Sequence, residues 1–181
     1  MSAAEVLAVC SNKGHNFSKP VKLSITLIEG LGVAGDAHLG KTVQHLYDKR
    51  RNPDAPNLRQ VHLMHAELFD ELAALNMPVN AGEMGENIVT RGLDLLALPR
   101  GTELSFKSGA RIGVTGLRNP CSKLNALHDG LLKAVLYKTD DGRQLSKTGV
   151  MGVVLSGGDI VAGDEITVHL PDGDHIPLSP V

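Results

Sequence analysis

Tryptophan is absent from the 181-residue chain, and three phenylalanines and two tyrosines are its only aromatic residues besides histidine. Proteins that hold single-stranded nucleic acid stack bases on aromatic side chains, so that function class is disfavoured at the outset. Neither sign of charge dominates. A net charge of −2 gives no electrostatic reason for adhesion to nucleic acid or to an anionic membrane. No apolar run approaches the roughly 20 residues of a transmembrane helix. The opening stretch "MSAAEVLAVCSNKGHNF" has no basic region leading into a clean apolar run, so no signal peptide is read there. Two cysteines, Cys10 and Cys121, are too few for a disulfide framework. A thiol-reducing, cytoplasmic compartment is the expectation.

What is plentiful is glycine, 20 residues of it, clustered between short apolar runs in the manner of turns joining short strands. Strands are expected at Ala4–Cys10, Val21–Gly30, Gln60–Met64, Ala110–Leu117, Thr148–Gly158 and Gly163–Leu170, with "ELSF" after the turn "LPRGT". One helix is expected at His65–Leu75, where Leu68, Leu72 and Leu75 recur at helical spacing. A second runs from Cys121 to about Lys138, interrupted near Asp129-Gly130. Residues 42–59, with Lys49, Arg50 and Arg51, read as an exposed loop. The pattern predicts a single domain over residues 1–181, a mainly antiparallel β-barrel flanked by about two to three helices. A chain of this size buries about 70% of its unfolded surface and needs no staples.

Four places carry residues with chemistry. In "RNPCSKL", Pro120 suits a helix entrance. Cys121 would then sit near unpaired N–H groups, with Arg118 and Lys123 adding positive charge, and all of these favour the thiolate. The residues alone leave open whether Cys121 is such a thiolate or a small buried hydrophobe. Cys10, inside an apolar strand, reads as core. The glycine-rich "GLGVAGDAHLGK" permits close backbone approach to an anion but matches neither a P-loop nor a dinucleotide fingerprint. Within it, Asp36 and His38 are a metal pair or polar loop residues. His62 and His65 are three apart but straddle a strand end and a helix start, a weak zinc signal. Glu83, Glu86 and Asn87 in "GEMGENIV" suit acid–base work or the capping of turns.

Taken in order, "GVAGDAHLG", "RQVHLM", "GEMGENIVTRGLDLLALPRGTEL", "VTGLRNPCSKLN" and "GVVLSGGDIVAGDEITV" resemble the MOSC domain, the module named for the C-terminal domain of molybdenum cofactor sulfurase. The resemblance runs from about Gly30 to Val168 and is to the free-standing bacterial members. It implies a barrel like that of the pyruvate kinase barrel domain, and a role in binding the molybdopterin-type molybdenum cofactor or carrying sulfur to it. The family's cysteine matches Cys121, a persulfide carrier in sulfurase-type members and a molybdenum ligand in those that help reduce N-hydroxylated compounds. Gly35, Asp36, His38, Arg59, Glu86, Asn87, Arg118 and Lys123 are then expected to bind the cofactor. The amides of Gly32–Gly40, with Lys41, Arg59 and Arg118, would face its phosphate. Two cysteines cannot hold a four-thiolate cluster, and no PLP-binding aminotransferase domain is read. A separate sulfur or electron donor protein is therefore expected, with a molybdoenzyme as the candidate acceptor. Two other readings stand beside this one: a non-catalytic module that delivers cofactor, and a metal-dependent hydrolase using His38, His62 or His65.

Overall fold

The computed structural model describes residues 4–181; the first three residues of the stretch inspected for a leader lie outside them. The chain runs β1 (Glu5–Cys10), β2 (Val21–Lys22), β3 (Ser24–Ile28), β4 (Gly32–Val33), α1 (Leu46–Arg51), β5 (Val61–His65), α2 (Glu67–Ala74) and β6 (Ile88–Arg91). It continues through β7 (Glu103–Phe106), β8 (Arg111–Leu117), α3 (Leu131–Ala134), β9 (Leu136–Lys138), β10 (Gln144–Ser146), β11 (Val150–Ser156), β12 (Gly158–Val161) and β13 (Ile166–His169). Short 3₁₀ turns cover Leu95–Ala97 and Ser122–Ala126. The class is mainly β with three helices, as the periodicity predicts. Among the described residues no helix is long and apolar enough to cross a membrane.

Eight strands form one sheet in the order β13-β7-β8-β11-β5-β6-β1-β2. Every pair in it is antiparallel except β5 with β6, which α2 connects as a parallel pair requires. The expected closed barrel is corrected to a curled sheet. Among the described residues, β1 and the turn before β13 meet at an isolated bridge, Glu5 to Glu165. Hydrogen bonds from Val6 N to Asp164 O, Gly163 N to Val6 O and Ile166 N to Ala4 O support that bridge. The contact falls on the turn before β13, too short a segment for a continuous ladder. A second sheet, β12-β3-β4, packs on this frame, with Ile25 and Leu27 of β3 turned inward by strict alternation.

Two apolar cores result. The larger lies inside the curled sheet, with Val6, Leu27, Leu63, Ile88, Leu104 and Ile112 among its fully buried members. The smaller joins Leu68 and Leu72 of α2 to Met64, Met84, Leu124 and Leu131, with Phe17 packed against it. Each fully buried leucine contributes about 1.5–3 kcal/mol. More important here, this second core draws together three stretches far apart in sequence, around Phe17, Met84 and Leu124.

Three sequence expectations fail locally. The helix from Cys121 to Lys138 does not form. Cys121 stays extended (φ −125°, ψ 159°) after Pro120, and only a 3₁₀ turn follows. The interruption expected near Asp129-Gly130 is present, with Gly130 left-handed (φ 81°) ahead of the four-residue α3, but Leu136–Lys138 then pair with Gln144–Ser146 as a hairpin. The loop at 42–59 contains α1, and the strand Val21–Gly30 is split at Leu23.

Candidate functional site

Asp36 is the hub of a buried polar network. Its side chain is fully shielded and that of Lys19 nearly so. Lys19 Nζ lies 2.9 Å from Oδ2 and 3.1 Å from Oδ1. Oδ1 also accepts from the backbone N–H of His38 at 3.0 Å and lies 3.2 Å from His38 Nδ1. Oδ2 accepts from Asn12 N at 3.2 Å and Asn87 Nδ2 at 3.1 Å. Burial alone would push the Asp36 carboxyl up. The His38 hydrogen bond and the charge of Lys19 outweigh it and hold the group well below the usual carboxylate range. Asn87 donates to Cys10 O and accepts from His62 N, so its amide is spent on the frame and does not line a ligand pocket. Cys10 is core, its thiol pushed up to about 12, first by burial and then by Glu86.

The glycine-rich stretch serves to place this aspartate. Amides of Ala34, Asp36, Ala37, Leu39 and Gly40 donate to backbone carbonyls, and that of His38 to Asp36. These donors are engaged inside the protein, so they do not form the anticipated anion cradle. Gly35 is an exposed, left-handed turn residue with open space around it.

Cys121 lies beyond the end of β8, partly exposed, and Leu124 anchors its turn in the smaller core. A five-residue 3₁₀ turn has no developed dipole, so the electrostatics fall to side chains. Arg118 supplies them. Burial lowers its guanidinium, and the charges of Cys121 and then Glu86 act to raise it again. Its Cζ sits 5.9 Å from the centre of the Phe17 ring, and Nη1 is buried without a hydrogen-bond partner. Glu86 is fully buried. Its Oε1 accepts from Gly82 N at 2.5 Å, while Oε2 has no partner. Burial pushes this carboxyl up despite that bond and the charges of Arg118 and Lys19. Lys123 is exposed and Arg59 is paired with Asp48 at 3.1 Å.

Arg59 and His38 line a cleft of about 270 Å³ closed on its other side by α1 and residues 43–58. His62 is elsewhere, buried with Nε2 2.7 Å from Thr148 O. No group of three or more His, Cys, Asp or Glu residues suited to a metal ion occurs among the described residues. His38, His62 and His65 therefore do not assemble into a hydrolase metal site. Sequence reasoning missed Lys19, Asn12, Phe17 and Asn57, all in segments that read as ordinary polar loop.

His62 has a measurable consequence. Burial first, and then the charge of Arg118, hold its ring well below the ordinary histidine value. Below about pH 6.5 the unfolded chain takes up this proton and the folded protein does not. Stability is therefore full above that pH and falls as pH drops, at up to about 1.4 kcal/mol per unit. His15, His45 and His65 are shifted the same way, whereas Asp36 stays ionised throughout this range. Urea unfolding between about pH 7.5 and 5 should show the loss, with a shallower slope in His62→Gln. An equal slope would remove His62 from the account.

A profile of the MOSC domain matches residues 36–167. YuaD of Bacillus subtilis (strain 168), named for metal-sulfur cluster biosynthesis, is 27% identical over 146 residues, 76% of each chain. The crystal structure of YuaD superposes with a TM-score of 0.76 at 22% identity, over 94% of this chain and 98% of that one. YiiM from Geobacillus stearothermophilus gives 0.68 at 19% identity, over 96% and 79%. At these identities the structural likeness shows the fold.

Proposed function

Because the chain belongs to the MOSC domain family, which is associated with the molybdenum cofactor, we propose that it handles that cofactor or its sulfur through Cys121. The observation that carries this is the pairing of a partly exposed thiol with Arg118, whose buried Nη1 has no protein partner. A buried guanidinium N–H left unpaired is costly, and an anionic ligand above Cys121 would satisfy it. A soft sulfur donor beside a cation fits an anionic, sulfur-bearing group. The molybdenum cofactor supplies redox and sulfur chemistry when bound. Cys121 would hold it as metal ligand or bear its sulfur as a persulfide, and Arg118 would bind its negative charge. Sulfur or electrons would come from a separate donor protein.

Mass spectrometry of protein from a molybdate-replete, cofactor-producing host tests the reading. Bound pterin cofactor, or one added sulfur atom on Cys121, is expected in the wild type and neither in Cys121→Ser. Equal loading of the folded variant, or no loading of the wild type, overturns it.

A further inference from the structure

Asp36 and His38 form a unit that Cys121 does not account for. With Lys19 beside it and its carboxyl held ionised, Asp36 is an acceptor only, so the hydrogen between it and His38 belongs to Nδ1. His38 is pinned on both sides: its N–H donates to Asp36 and its carbonyl accepts from Asn57 Nδ2 at 3.0 Å. Its ring meets His15 edge-on, with centroids 5.5 Å apart. Nε2 has no hydrogen-bond partner among the described residues. The ring, 28% exposed, lines the 270 Å³ cleft with Val43, Leu58 and Arg59. A surface histidine held only for structure has no need of a buried carboxylate that fixes its tautomer.

We infer that His38 is the acid–base residue of this cleft, with Asp36 as its positioning residue. The cleft fits a small molecule with an apolar body and a weakly acidic N–H, O–H or S–H. Nε2 takes that proton, the ligand's X–H bond breaking as the Nε2–H bond forms, and the resulting imidazolium, its charge balanced by Asp36, returns the proton to the ligand in the reverse sense. No electrons move in the step. The charged and titratable groups around the ring are Asp36, Lys19 and His15, and His45, Asp48, Arg51 and Arg59 along the cleft. Lys49 and Arg118 add positive charge farther out. The groups that hold and move this proton lie between His15 and Arg59, apart from Cys121.

Long-range ¹H–¹⁵N NMR of the histidine rings at about pH 8, where an ordinary histidine is neutral, provides the test. His38, assigned by the signals lost in His38→Gln, is expected in the Nδ1–H form, with a bare Nε2. Removing both buried charges together, Lys19→Met with Asp36→Asn, should release that preference without stranding an ion. Diethyl pyrocarbonate should acylate His38 faster than any other histidine in the wild type, and lose that lead in the paired variant. Where loaded protein turns over, His38→Gln should slow turnover per loaded molecule by about 10²–10⁴-fold. An Nε2–H ring in the wild type, a slow acylation of His38, or undiminished turnover in His38→Gln overturns the inference, whatever Cys121 carries.

Discussion

Replacing Asp36 with alanine is expected to destabilise the protein by about 3–5 kcal/mol, a large share of the 5–15 kcal/mol that holds a typical domain folded. The cost has two sources. Lys19 is left as a buried ammonium without its partner, and burial already lowers its proton affinity. Asn12 N, His38 N and Asn87 Nδ2 lose their acceptor as well, and each unpaired donor adds to the penalty. Adding Lys19→Met should recover part of the loss, because the uncompensated charge goes while the volume stays. Chemical denaturation of the two single variants and the double closes this cycle. A cost for Asp36→Ala within about 1 kcal/mol of zero, the value of an exposed pair, would show that the network does not hold the fold.

Gly82→Ala is expected to be at least as damaging, above about 4 kcal/mol, and to lower the yield of folded protein. The residue is left-handed (φ 84°), and a Cβ on it would lie 1.9 Å from the carbonyl oxygen of Lys19. The backbone conformation alone costs a non-glycine residue about 1–2 kcal/mol. Gly142 measures that part by itself. It has φ 83° but no atom within 4 Å of the added methyl, so Gly142→Ala should cost only about that much. The remainder at Gly82 comes from moving Lys19, whose N–H bonds back to Gly82 O at 2.8 Å. Gly82→Ala and Asp36→Ala therefore strike the same contact and should fall short of additivity. Thermal unfolding of Gly82→Ala and Gly142→Ala checks the contrast, and equal midpoints would refute it.

These contacts also mark what the sequence could and could not disclose. Alternation in Ser24–Ile28 and the leucine spacing of α2 are local signals, and both elements form. Cys10, read as core from its apolar strand, is buried. The order of motifs pointed to the MOSC family, which the match over residues 36–167 bears out. Lys19 carried no signal, because "SKP" reads as loop and its burial depends on Asp36, 17 residues on. The helix expected after Cys121 fails for a similar reason: Leu136–Lys138 find a strand partner across the Asp140–Gly142 turn. Asn87 and the amides of Ala34 and Ala37 looked free to meet a ligand because their partners, among them Cys10, Thr26 and Asn12, lie in other segments.

The first strand of the sheet has consequences in time. β1 pairs with β6, some 80 residues downstream, and its other edge is finished by residues 163–166 near the far end of the chain. β2 follows soon after and pairs with Val9 and Cys10, but a ribosome releases β1 long before β6 or residues 163–166 exist. The rest of the strand must wait through much of synthesis with backbone groups unpaired, a state prone to association with other chains. Pairings at such separations place the protein among domains that fold in milliseconds to seconds rather than microseconds. The buried network around Asp36 joins β1's neighbourhood to Asn87, so the site takes shape in the same late step that completes the sheet.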